Sequence, residues 1–158
     1  MNHGASLFLR AVLLFIGVGA LALLLWEPHL EGRNAHATLF EIYFKDPFLA
    51  FVYVGSIPFF VGLYQAFKVL GYVGRDKEFS RSAVRSLRTI KWCAIALVGF
   101  VAVAEVIILS SKSDDHAGGV AVGVFIAFAS IVVATAMAVL ERTLQSAVDM
   151  KSESDLTI

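Results

Sequence analysis

Three features of the sequence predict an all-α fold, a four-helix transmembrane bundle with both termini cytoplasmic. The chain is 58% hydrophobic and only 16% charged, with a mean hydropathy of +0.78. Soluble domains are about half apolar and about a quarter charged, so the membrane class comes first. The apolar residues gather in four runs, about 7–26, 48–72, 92–110 and 119–140, and a run of about 20 residues crosses a hydrocarbon core. Finally, a polar stretch, Gly74 to Lys91, holds six basic residues against the acids Asp76 and Glu78 and separates the second run from the third. Basic connectors stay in the cytoplasm. With this connector and both termini inside, ten Lys and Arg lie inside and three (Arg33, Lys45, Lys112) outside. The whole chain, 1–158, then reads as a single integral membrane domain.

The first run, Leu7 to Trp26, resembles a signal peptide at Ala20-Leu21-Ala22. It continues through Leu23 to Trp26 without a polar cleavage region, so an uncleaved helix is expected. Arg10 near its start has two readings. The side chain snorkels to the inner surface, or it pairs with Glu141, which falls at the same depth on the fourth span.

Glu27 to Pro47 forms the outer connector, opening with the turn residues Pro28 and Gly32. Its second part, with Phe40, Tyr43 and Phe44, is apolar but too short to span, which predicts a short interfacial segment. His29, Glu31, His36, Glu41, Asp114, Asp115 and His116 could meet above the bundle, but their spacing is loose and solvated loop residues are expected, with no metal.

Pro47 can open the second helix, and Pro58 should kink it. Tyr53, Ser56, Tyr64 and Lys68 recur at helical spacing and make one face of this span polar, Gln65 is a further intramembrane polar residue, and Lys68 is close enough to the inner surface to snorkel.

Ser80 or Ser82 can cap a helix that runs unbroken from the connector into the third span. Val84, Leu87 and Ile90 then share one face, and Arg81, Arg85 and Arg88 form a basic stripe at i, i+4 and i+7. With Lys91, this stripe is the candidate partner- or lipid-binding surface. It suits anionic headgroups, the acidic tail (Glu141, Asp149, Glu153, Asp155) or a docked cytoplasmic protein. Direct nucleic-acid binding is not expected, because no aromatic platform or recognition module accompanies it. Cys93 is the single cysteine, so an intramolecular disulfide is excluded and a packed thiol is expected.

Glu105 is the one acid well inside a span, roughly 20 Å from Trp92 in the outer part of the bilayer. Tyr53 and Ser56 fall at its level. It either packs the bundle as a hydrogen-bonded carboxyl or lines an outward cavity that binds a small ligand or peptide.

The fourth span carries small residues four apart, Gly119, Gly123 and Ala127, then Ser130, Ala134 and Ala138, which let helix backbones approach. The pattern is frequent in membrane helices by chance, so it indicates packing and not a partner; a homo-oligomer is a separate expectation. The tail, 141–158, keeps helical spacing to Val148 and should fray at Lys151 to Asp155. Connector and tail carry opposite charge, which predicts a loose, salt-sensitive contact. No phosphate-cradling loop, nucleophile elbow or carboxylate pair is present, so neither an enzyme nor a cofactor is expected.

Several stretches together resemble a bacterial membrane protein family known as domain of unknown function 2975. They are Ile57 to Phe60, Tyr64 to Leu70, Phe79-Ser80, Val84 to Lys91, Leu144-Gln145, Ala147 to Asp149 and Lys151 to Thr157. The resemblance implies a four-span inner-membrane protein and carries over no catalytic residue. It also implies a small cytoplasmic helix-turn-helix regulator as a partner, since some members are encoded beside one. The expected role is non-enzymatic, regulatory or scaffolding.

Overall fold

The structure is a computed structural model that describes residues 3–30, 38, 40–41, 47–73, 80–110 and 117–156. It contains four long helices: α1 (His3–Leu30), α2 (Pro47–Val73), α3 (Arg81–Ser110) and α4 (Ala117–Leu156). Each is long and apolar enough to cross a membrane. No strand occurs among the described residues. In lipid a spanning segment must satisfy its own backbone groups, which the helix does internally.

Consecutive helices pack antiparallel, α1 on α2, α2 on α3 and α3 on α4, the last interface being the most extensive. Small residues set the approach. A Cβ on Gly55 of α2 would stand 3.3 Å from the Phe100 ring of α3, and the Phe51 ring packs tilted against the same ring, with centroids 5.5 Å apart. The small-residue face of α4 turns to α3, with Gly119 against Ile108 and Gly123 against Glu105. Buried side chains concentrate near one end of α3 (Ala83, Val84, Leu87, Ile90, Ala94), joined by Val148 of α4. Large apolar groups elsewhere are exposed, Phe15 at 82% and Phe125 at 73%, as a surface solvated by lipid tails requires.

Ser80 caps α3, as its sequence suggests. Its Oγ accepts from the Ala83 amide at 3.2 Å and its carbonyl from the Val84 amide at 3.2 Å. α3 then runs unbroken through the basic stripe into the span. Pro47 is the first residue of α2, and that helix continues through Pro58.

Two boundaries differ from expectation. α1 does not stop at Trp26 but passes through Pro28 to Leu30. Proline lacks the amide that Leu24 O would accept in a helix. The Tyr53 hydroxyl of α2 donates to that carbonyl at 3.0 Å, so the orphaned acceptor is satisfied and the helix persists. α4 does not fray at Lys151 to Asp155 but stays helical to Leu156. No Gly or Pro interrupts 141–156, and Gln145 donates to Asp149 one turn on at 2.9 Å. At about 1.5 Å per residue, the 40 residues of α4 reach about 60 Å, about twice a hydrocarbon core.

Of the outer connector, little beyond the end of α1 lies within the described residues. Phe40 and Glu41 are helical, and Thr38 forms a capping box with Glu41. The Thr38 amide and hydroxyl each donate to Glu41 Oε2 at 3.1 Å, and the Glu41 amide donates to Thr38 Oγ1 at 3.4 Å. The rest of the interfacial segment and connector residues 74–79 lie outside the described residues.

Candidate functional site

The charged groups gather at one end of the bundle, where α1 and α3 begin and α2 ends. The helical period of α3 puts Ala83, Val84, Leu87 and Ile90 into the packing and leaves Arg81, Arg85 and Arg88 exposed. α4 passes this end antiparallel to α3 and brings Glu141 to it. Arg88 Nε donates to Glu141 Oε1 at 2.6 Å, and Lys91 Nζ to Oε2 at 2.6 Å. Glu141 is buried at 8% exposure, so both oxygens are satisfied away from solvent by charged donors. The contact expected between connector and tail is a clamp at this position, with Glu141 held by both Arg88 and Lys91. One carboxylate against two cations leaves a single positive charge. Lys91 also stands over the Trp92 ring at 5.8 Å.

The pairing of Arg10 with Glu141 is overturned, because equal depth does not bring the two side chains to the same side of the bundle. α1 packs on α2, and Arg10 lies over the Phe67 ring at 5.6 Å, close to Gly71. Its Nε is buried and has no hydrogen-bond partner among the described residues. Lys68 leans back one turn over the Tyr64 ring at 5.7 Å. Arg81 and Arg85 form no ion pair among the described residues.

Two adjoining cavities lie among these cations. One, of about 140 Å³, is walled by Gln65, Lys68 and Tyr72 of α2 and Ser82, Arg85 and Ser86 of α3. The other, of about 270 Å³ and more open, is lined by Arg10, Phe67, Lys68, Gly71 and Tyr72. Both share Lys68 and Tyr72, and among the described residues no carboxylate lines either.

Glu105 lies far from this end. Its carboxylate rests on Gly123 of α4, where a Cβ would collide with Oε1. Oε1 is buried and unpartnered among the described residues, so Tyr53 and Ser56 do not satisfy it. The Ser56 hydroxyl instead donates to Tyr53 O at 2.7 Å. Glu105 lines neither cavity. Of the outer His and acidic residues, His29, Glu31, His36, Asp114, Asp115 and His116 have side chains outside the described residues, and Glu41 is the partner of Thr38.

Sequence reasoning missed the cavity hydroxyls Ser82 and Ser86, because serines on a basic helix look like solvated positions. The Thr38–Glu41 capping box had a readable signal, Thr followed three residues later by Glu.

The sequence model of a family described as "Protein of unknown function (DUF2975)" matches residues 33–158. The chain is also similar to the uncharacterized membrane protein YoaS of Bacillus subtilis (strain 168), at 39% identity over 160 residues, covering 100% of each chain. No solved structure matches.

Proposed function

The chain belongs to the DUF2975 family of proteins of unknown function, and from that premise we propose a non-enzymatic regulatory or scaffolding role at the bacterial cytoplasmic membrane. The basic end faces the cytoplasm, as the excess of Lys and Arg there favours. A cytoplasmic protein docks on Arg81, Arg85 and the adjoining surface of α4. The observation that carries this reading is the Glu141 clamp. It fastens the extension of α4 to the start of α3 and yields an ordered helix pair. With Arg88 and Lys91 engaged by Glu141, Arg81 and Arg85 remain as exposed guanidinium groups on this platform, unpaired among the described residues. A partner with an acidic surface suits them.

A small helix-turn-helix regulator is the partner that the family resemblance supports. The alternative, a transport or immunity protein that binds a ligand near Glu105, draws less support. Glu105 is packed against Gly123 and lines neither cavity.

The test is affinity purification of the tagged full-length protein from membranes in mild detergent, with mass spectrometry, for wild type and for the R81Q/R85Q variant. A small DNA-binding protein recovered with wild type and lost with the variant is the expected result. Recovery of the chain alone from both would overturn the docking role.

A further inference from the structure

The two cavities at the basic end hold an arrangement of which the docking surface uses only Arg85. Arg10, Lys68 and Arg85 converge on them from three different helices. None of the three has an acidic partner among the described residues. Like charges lining adjoining cavities repel one another unless an anion lies between them. Arg10 also buries Nε with no acceptor, a donor that an uncharged pocket would leave at a cost. Ser86 is buried at 4% exposure and lines the smaller cavity, and its hydroxyl makes no hydrogen bond among the described residues. Ser82 stands beside it in the first turn of α3, where the helix dipole adds positive potential. The smaller cavity, about 140 Å³, far exceeds the roughly 10–15 Å³ that one water needs.

We propose that these cavities form one binding site for a phospholipid carrying two phosphodiester groups, of the diphosphatidylglycerol (cardiolipin) class. One phosphate sits between Arg10 and Lys68. The other sits between Lys68 and Arg85 and accepts from the Ser82 and Ser86 hydroxyls. Lys68, common to both cavities, bridges the two. Phe67 and Gly71 wall the more open cavity and suit the apolar part of a lipid. Basic pockets between transmembrane helices are the kind of site that such headgroups occupy. A membrane source fits better than a soluble one, because Leu7, Phe8 and Leu14 beside Arg10 on α1 are 71%, 69% and 58% exposed and are covered by acyl chains in a bilayer. The site shares Arg85 with the docking surface, while Arg10, Lys68 and Ser86 belong to it alone.

The test measures lipid binding by native mass spectrometry on full-length protein, delipidated in mild detergent. The probes are cardiolipin, phosphatidylglycerol and inorganic phosphate. Cardiolipin is expected to bind about tenfold or more tightly than phosphatidylglycerol, and the R10Q/K68Q variant to lose about tenfold or more of that affinity. R81Q, on the exposed stripe, is expected to bind as wild type does. Thermal unfolding in detergent checks the fold of each variant. Should R10Q/K68Q not fold, S86A carries the test and must weaken cardiolipin more than phosphatidylglycerol. Equal binding of the two lipids, or cardiolipin binding indifferent to both R10Q/K68Q and S86A, would overturn the proposal. So would displacement of cardiolipin by millimolar inorganic phosphate, which would mark the site as one for a soluble anion. R10Q/K68Q should still capture the docking partner, so the two roles fail separately.

Discussion

Arg88 and Glu141, 53 positions apart in the chain, meet at 2.6 Å from Nε to Oε1. Arg88 is not the sole donor, because Lys91 holds the other oxygen. The two donors differ in setting: the Arg88 side chain is 57% exposed and that of Lys91 23%. Water competes for Arg88 more than for Lys91, so the two bonds should contribute unequally. Removing the shared acceptor strands both cations.

Replacing Glu141 with Ala should therefore destabilise the protein by about 2–3 kcal/mol, below the value for a fully buried pair because Arg88 reaches solvent. Lys91→Gln should cost about 1 kcal/mol and Arg88→Gln less. Thermal unfolding of the purified variants in one detergent gives the order. Arg88→Gln matching Glu141→Ala would contradict the clamp described here.

The clamp also changes what salt should do to the tail. A spin label at Ser152 should show mobility nearly independent of salt in wild type, because partly buried pairs are screened weakly. The R88Q/K91Q double variant should raise that mobility, while R81Q/R85Q should leave it unchanged. Tail motion that rises with salt in wild type would mean that exposed charges, and not Glu141, hold the two helices.

Gly123 and Glu105 form a second coupled pair. A methyl group on Gly123 would occupy the place of Glu105 Oε1, so Gly123→Ala should cost about 1–3 kcal/mol. In the Glu105→Ala background the same change should cost much less, since the small side chain vacates the space. A double-mutant cycle measured by thermal unfolding reads the coupling. Simple additivity would show that Glu105 does not pack there.

Tyr53→Phe removes the donor that satisfies Leu24 O opposite Pro28. The expected loss is about 1 kcal/mol, with faster amide exchange in the last turn of α1. If exchange there stays at the wild-type rate, the Tyr53 hydroxyl is not what sustains the helix past Pro28.

Orientation is open to cysteine labelling in a Cys93→Ser background. Ser86 is buried, so the exposed Ser82 is the useful position at the basic end and Ala117 at the other. An impermeant maleimide should label A117C in intact cells and S82C only after lysis. The reverse pattern would invert the topology and move the docking surface out of the cytoplasm.

The sequence by itself determined the four spans, their order and the face each half of α3 presents. Apolar run length and helical period carry that information, because lipid leaves a spanning backbone no alternative to the helix. Ser80 as cap and Val84, Leu87 and Ile90 as the buried face were legible for the same local reasons. What only the tertiary structure decided is which helix meets which, and at what register. Depth along the membrane offered Arg10 as a partner for Glu141, and charge offered the basic stripe with Lys91. The rotation and adjacency of the helices brought Arg88 and Lys91 to it and left Arg10 beside Lys68. The passage of α1 through Pro28 likewise depended on a hydroxyl 29 residues away in α2. Helical period fixes a side chain's angle about its own axis, but the neighbour it finds there follows from close packing among helices, where contacts at Gly55, Gly119 and Gly123 set the distances.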